Sequence, residues 1–222
     1  MTFKFWGDPN NMELINKIVP RDTGNFNWTF IFILAVVFYV YWSEMHKKNY
    51  EAVFAGLALY GVHWLYEITN AIIGKVSGAP LWAVSNASST FVLLQGVSWE
   101  LSMMFAIAGI ISFKMMPEDR TKHYLTFGGK YKGISCKLVT TLGMALLFAL
   151  FESFLAGTSN NSFIWVYPWW GVLPVFITTY VPFFLASNYI PDMKPKTRTI
   201  ILASIWGLVA ILLIVLIPCG VI

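Results

Sequence analysis

Six long apolar runs, divided by short charged loops, govern what this chain can become. They are Trp28–Ser43, Tyr50–Ile73, Ser88–Phe113, Leu138–Ala156, Trp169–Ile190 and Thr199–Pro218. A helix rises about 1.5 Å per residue, so about 20 apolar residues cross the roughly 30 Å hydrocarbon layer of a bilayer. The first run reaches that length only with Asn25–Phe26 and Glu44–Met45 added to its ends. At 57% hydrophobic and 12% charged residues, an ordinary water-soluble domain is excluded. The runs are continuous and lack the alternation of barrel strands. The expected fold is therefore all-α, a single polytopic transmembrane helix bundle of about six spans over residues 1–222, with a polar N-terminal arm at 1–24.

Charge orients the bundle. Lys47 and Lys48 lie between runs one and two. Lys114, Arg120, Lys122, Lys130, Lys132 and Lys137 lie between three and four, and Lys194, Lys196 and Arg198 between five and six. Only Lys4, Lys17, Arg21 and Lys75 remain for the other side, so the positive-inside rule predicts both termini to be extracytoplasmic or lumenal. An endoplasmic reticulum membrane and a bacterial or archaeal plasma membrane both fit. Three N-x-S/T triplets, at Asn27, Asn86 and Asn160, fall on that outer side. The first 25 residues, with Pro9 and Pro20, do not read as a cleavable signal peptide. Cys136 and Cys219 are too few for a disulfide framework or a metal motif.

Several loop features carry expectations. Met12–Val19 reads as a short interfacial helix, and Leu81–Trp82 as a pair dipping into the membrane interface. Pro117 breaks the helix at the start of the Met115–Gly133 loop. The rings Phe163, Trp165, Tyr167, Trp169 and Trp170 suit either an interfacial aromatic belt or the wall of a cavity.

Three carboxylates sit within the apolar runs: Glu67, Glu100 and Glu152. A charge at mid-bilayer costs at least about 2.5 kcal/mol, so each should face protein, hold a proton or bind a cation. Tyr60, His63, Glu67 and Asn70 are spaced 3, 4 and 3 residues apart and form one stripe on one helix face. Counted from the outer ends of the runs, Glu152 lies about 6 Å deep, Glu67 about 9 Å and Glu100 about 18 Å. The three outline a shared cavity, deepest at Glu100, with Trp99, Tyr167 and Trp170 as candidate aromatic walls. Acids and a His among aromatic faces suit protonation of an alkene and passage through a carbocation. Catalytic roles are expected for Glu67, Glu100, His63 and Glu152, and substrate contacts for Tyr60, Asn70, Trp99, Tyr167 and Trp170.

The pattern resembles the emopamil-binding-protein (EXPERA) group of sterol isomerases and sigma-2-receptor relatives. The resemblance rests on His63-x-x-x-Glu67, on Glu100 with Gly109 two turns on, on Glu152, and on Trp170-Gly171-Val172-Leu173-Pro174, across residues 50 to 190. The chain departs from that group in having a sixth run, a shorter second loop, and Tyr167 where the isomerases carry Asn. Trp99-Glu100-Leu101 is similar to a motif of integral-membrane terpene cyclases, although their late intramembrane Asp has no match here. Both resemblances imply acid-driven isomerisation or cyclisation of an isoprenoid or sterol-like lipid. The implied partners are that substrate and membrane lipids. No nucleic acid, metal or other cofactor is expected. A proton- or cation-coupled transporter remains an alternative, as does a homo-oligomer or a non-catalytic subunit of a membrane complex.

Overall fold

A computed structural model describes residues 3–89, 91–126, 132–158 and 162–222. Lys130 and the triplet at Asn160 lie outside the described residues. Among those described, six long helices follow one another: α1 Phe30–His46, α2 Tyr50–Ser77, α3 Trp99–Met115, α4 Cys136–Ala156, α5 Val172–Asp192 and α6 Pro195–Leu216. Polar caps start three of them. Asn49, Ser98 and Ser135 accept from the amides of Ala52, Leu101 and Leu138, which satisfies N–H groups that the helix itself cannot. Gly78 ends α2 in the left-handed conformation (φ 87°) that a glycine adopts without strain.

The helices α4, α5 and α6, of 21, 21 and 22 residues, are each long and apolar enough to cross a membrane. The fold is an all-α polytopic bundle with α2 at its hub, and α1, α3, α5 and α6 all pack against α2. Small residues make this possible: Ala52, Ala55, Gly56 and Ala58 of α2 are buried. A Cβ added at Gly109 of α3 would collide with the Ala55 carbonyl, so the two backbones touch. The Trp206 indole of α6 sits over Gly61 and donates to the Leu57 carbonyl at 3.2 Å. Helix α4 packs against α5 and completes the bundle.

The third apolar run is not one helix. Its first part forms a hairpin, β2 (Val92–Leu94) against β3 (Val97–Ser98), and α3 starts only at Trp99. Val92, Leu94 and Val97 are buried, so protein covers this apolar stretch. Burial along β2 alternates, the period of a strand. Elsewhere β1 (Ala83–Val84) pairs with β6 (Phe163–Ile164), and β4 (His123–Tyr124) with β5 (Ile134–Ser135).

The N-terminal arm laces these segments into a cap over one end of the bundle. Gly7 N donates to Trp170 O at 2.8 Å, Asp8 N to Trp165 O at 3.0 Å, and Arg21 N to Val92 O at 2.8 Å. The expected interfacial helix is shorter than Met12–Val19, being helical only over Met12–Ile15. Its Ile15 and Ile18 pack on Ala79, Ala83, Val92 and Ile164, so protein and not lipid covers them.

Candidate functional site

The stripe on α2 points into the bundle just beneath the cap. His63, Glu67 and Asn70 are buried, at 0%, 4% and 1% exposure. Each has different company. The Tyr60 hydroxyl lies 2.8 Å from Ser102 Oγ on α3. His63 stacks on Phe105 with ring centroids 4.2 Å apart, and its Nε2 lies 3.4 Å from Glu67 Oε1. Neither imidazole nitrogen has a hydrogen-bond partner among the described residues. Asn70 ties down the following loop: its Nδ2 donates to Trp82 O, and its Oδ1 accepts from Leu81 N, both at 2.8 Å.

That latch turns Trp82 inward. Its Nε1 donates to both Glu67 oxygens, at 3.1 and 3.3 Å, and its ring stacks on Trp170 with centroids 5.7 Å apart. Trp82 thus lies inside the protein, where the sequence suggested the membrane interface. The fit is tight at Gly96 in the hairpin turn. A Cβ there would come 2.5 Å from Asn70 Nδ2 and 2.7 Å from Trp82 Nε1, and closer still to Glu67 Oε2. Only glycine leaves room for the carboxylate.

Glu152, near the end of α4, faces the same space. Its two oxygens accept from Trp165 Nε1 at 2.8 Å and from the Tyr180 hydroxyl at 2.6 Å. Tyr180 is brought there by a π-helical turn, Val175–Tyr180, in α5. Pro182 follows this turn and lacks the N–H that regular helix would need. Such wide turns cluster at functional sites. Glu67, Glu152, Trp82, Phe105, Tyr180 and Phe183 are among the walls of one cavity of about 10 Å³, room for about one water molecule.

Other sequence candidates lie elsewhere. Glu100 is the second residue of α3, half-buried, and accepts from Ser89 Oγ at 3.4 Å. It is not among the walls of that cavity. The expected order of depth is also reversed: Glu67 stands ten residues before the end of α2, about 15 Å along the axis, while Glu100 sits in the first turn of α3. Trp99 stacks on Phe30 of α1 at 5.4 Å, in an aromatic ladder on another flank. Tyr167 belongs to the cap, where its hydroxyl donates to Ala79 O at 2.8 Å. The aromatic run divides: Phe163, Trp165 and Trp170 are buried, while Trp169 is exposed.

Sequence reasoning missed Trp82, Thr179, Tyr180 and Gly96, and left Trp165 open between an interfacial belt and a cavity wall. One signal could have found two of them. Pro174 and Pro182 bracket Thr179 and Tyr180, and two prolines that close mark a departure from regular helix.

A family model described as an uncharacterized membrane protein family matches residues 13–218. The chain belongs to this family. An uncharacterized protein of Archaeoglobus fulgidus is 36% identical over 202 residues, covering 89% of this chain and 91% of that relative. No solved structure matches. The family match takes in all six helices and every residue that lines the carboxylate cavity. The chain is a membrane protein, and its carboxylate cavity lies within the matched residues.

Proposed function

We propose that this membrane protein is an enzyme acting on a lipid-soluble isoprenoid or sterol-like alkene, isomerising or cyclising it by proton transfer. One observation carries the reading: two buried carboxylates, Glu67 and Glu152, converge on one aromatic cavity with neutral donors and one histidine as partners. In an isomerisation, one carboxyl gives its proton to an alkene carbon. The neighbouring carbon then loses a proton to the other carboxylate, so atoms and charge balance and no co-reactant is consumed. The faces of Phe105, Trp82 and Tyr180 stabilise the intervening cation. The proton then returns from the carboxyl that received it to the one that gave it, across the one-water cavity that both face, with His63 Nε2, 3.4 Å from Glu67 Oε1, beside the path. Glu152 takes the role that the sequence offered to Glu100, and the motif resemblance at His63, Glu67 and Glu152 supports the same chemistry. The cavity has room for about one water, so a substrate's alkene reaches the carboxylates only as the cavity walls part.

Purified protein in nanodiscs, given isoprenoid and sterol alkenes in D2O, tests this. Deuterium should enter the lipid with wild-type protein and not with Glu67→Gln or Glu152→Gln. If wild-type protein puts no deuterium into any lipid, the reading is wrong.

The cavity volume favours one second reading, a proton relay through a single water between Glu67 and Glu152, as a proton-coupled transporter would need. Proton flux in sealed vesicles, lost in both variants and without change to any lipid, would put that reading in place of the first.

A further inference from the structure

At the capped end, Arg21 and Lys75 line one pocket of about 380 Å³, set between the end of α2, the β2–β3 turn and the segment after α6. Ala71, Leu94 and Ile217 give it an apolar side. No Asp or Glu among the described residues lines it, and it shares no wall with the carboxylate cavity.

Arg21 is held there against its backbone preference. Its φ of 59° is left-handed, a strained conformation for a residue with a Cβ. Three bonds keep it in place: its N donates to Val92 O at 2.8 Å, Nη1 to Leu93 O at 3.0 Å and Nη2 to Ile222 O at 3.2 Å. The guanidinium is thus fixed by backbone oxygens, with no acidic side chain to meet its charge and with further N–H groups left to donate. A terminal carboxylate at Ile222 would offset one of the two cations and leave the other. The side chains of Lys75 and Gln95 have no hydrogen bond or ion pair among the described residues. An ammonium only donates, and a carboxamide offers two more N–H groups. The pocket therefore gathers donors and positive charge, and an oxyanion satisfies both. Its level in the fold narrows the choice. Lys75 lies in the last turn of α2, and Ile217 directly follows α6, a helix long enough to cross a membrane. That is the height of lipid headgroups.

We infer that this pocket binds the phosphate of an anionic membrane lipid. Arg21 and Lys75 meet the phosphate, Gln95 donates to a headgroup oxygen, and an acyl chain leaves along Ala71, Leu94 and Ile217. The site is separate from the carboxylate cavity and does not depend on the acid–base reading.

The test is titration of fluorescent phosphatidylglycerol into the purified protein in a neutral detergent, competed by unlabelled phosphatidylglycerol, phosphatidylcholine and glycerol 1-phosphate. Phosphatidylglycerol should compete at least about tenfold better than phosphatidylcholine, whose own cation opposes Arg21 and Lys75, and than glycerol phosphate, which lacks the chains. Arg21→Gln should weaken binding about tenfold and Lys75→Gln roughly three- to tenfold, as charge-assisted hydrogen bonds are lost. Lys75 is exposed and bonds to nothing in the protein, so a loss at that position is not a loss of folding. Lys17→Gln, at the same end but paired with Glu13 and outside the pocket, should leave binding unchanged. Equal competition by phosphatidylcholine, undiminished binding in Lys75→Gln, or an equal loss in Lys17→Gln overturns the site. Full competition by glycerol phosphate overturns the lipid assignment and puts a soluble phosphate ester in its place. Binding is read without turnover, so it can succeed where deuterium exchange fails and fail where exchange succeeds.

Discussion

At the basic end of the bundle, Glu44 is buried beside Lys114 and Lys47, Asp192 pairs with Arg120 at 2.6 Å and with Lys137, and Glu51 reaches Arg120 at 3.6 Å and Arg198 at 3.9 Å. Beneath the cap, Glu67 and Glu152 meet the indoles of Trp82 and Trp165, the Tyr180 hydroxyl and His63. The first arrangement neutralises charge where helices meet at their ends, and it is what a stable bundle needs. The second gathers acidic groups in an apolar space and gives them partners that polarise without cancelling them. Burying a carboxylate without a cation costs several kcal/mol after relaxation. Two such groups on one cavity are what the proposed proton transfer would use.

The largest expected effect breaks or upholds this contrast directly. Glu67→Gln and Glu152→Gln should each lower turnover by about 10²- to 10⁴-fold, the usual contribution of a positioned acid or base. Asp192→Asn and Glu51→Gln, at the basic end, should leave turnover within a few-fold of wild type. Equal losses at both ends would abolish the distinction.

Stability should show the opposite pattern. Lys114→Met leaves Glu44 at 3% exposure with only Lys47, at 3.9 Å, and the Asn49 amide for partners. A lost bond to a buried charge should cost about 1 to 3 kcal/mol. Thermal melting in detergent checks this, and an unchanged midpoint would show that the basic-end pairs do little for the fold.

A steric change sharpens the comparison at the capped end. Gly96→Ala drives a methyl into the space held by Glu67, Asn70 and Trp82, and overpacking of this kind costs about 1 to 3 kcal/mol. Gly207→Ala on α6 meets nothing within 4 Å and should be neutral or slightly stabilising. Activity should fall with the first and hold with the second.

Much of this contrast was legible in the sequence, and the rest was hidden for definite reasons. Helix periodicity placed Tyr60, His63, Glu67 and Asn70 on one face because residues three and four apart always share a face. The grouping of Lys and Arg marked the loops of the basic end. The hairpin at Val92–Ser98 was hidden because an apolar run has the same composition whether lipid or protein covers it. Taking that run as helix put Glu100 at mid-bilayer, when it lies in the first turn of α3. Trp82 and Trp165 were hidden because an indole at a membrane boundary can turn outward to the interface or inward to a carboxylate. Asn70, 11 and 12 residues before Leu81 and Trp82, decides the matter for Trp82 by holding the backbone of both. Tyr180 depended on the π-helical turn, which shifts the inward face of α5 by one residue.

The smallest predicted effect concerns a carboxylate that water, not protein, surrounds. Asp119, in the loop after α3, accepts from Thr121 Oγ1 at 2.6 Å and Thr121 N at 3.0 Å. These two donors, the hydroxyl first, hold its carboxyl below the ordinary Asp value, with Lys122 adding a smaller pull. A lowered folded value means that the turn gains stability above the ordinary Asp pKa and loses it as pH falls through the depressed one. Thr121→Val removes the hydroxyl and keeps the amide, so the Asp119 titration, followed by carboxyl carbon NMR, should move up toward the ordinary value. Turnover at neutral pH should not change, because Asp119 is ionised there in both proteins and lies at the basic end. A change in turnover at neutral pH would mean that the loop reaches the chemistry, and the division of labour between the two ends would fail.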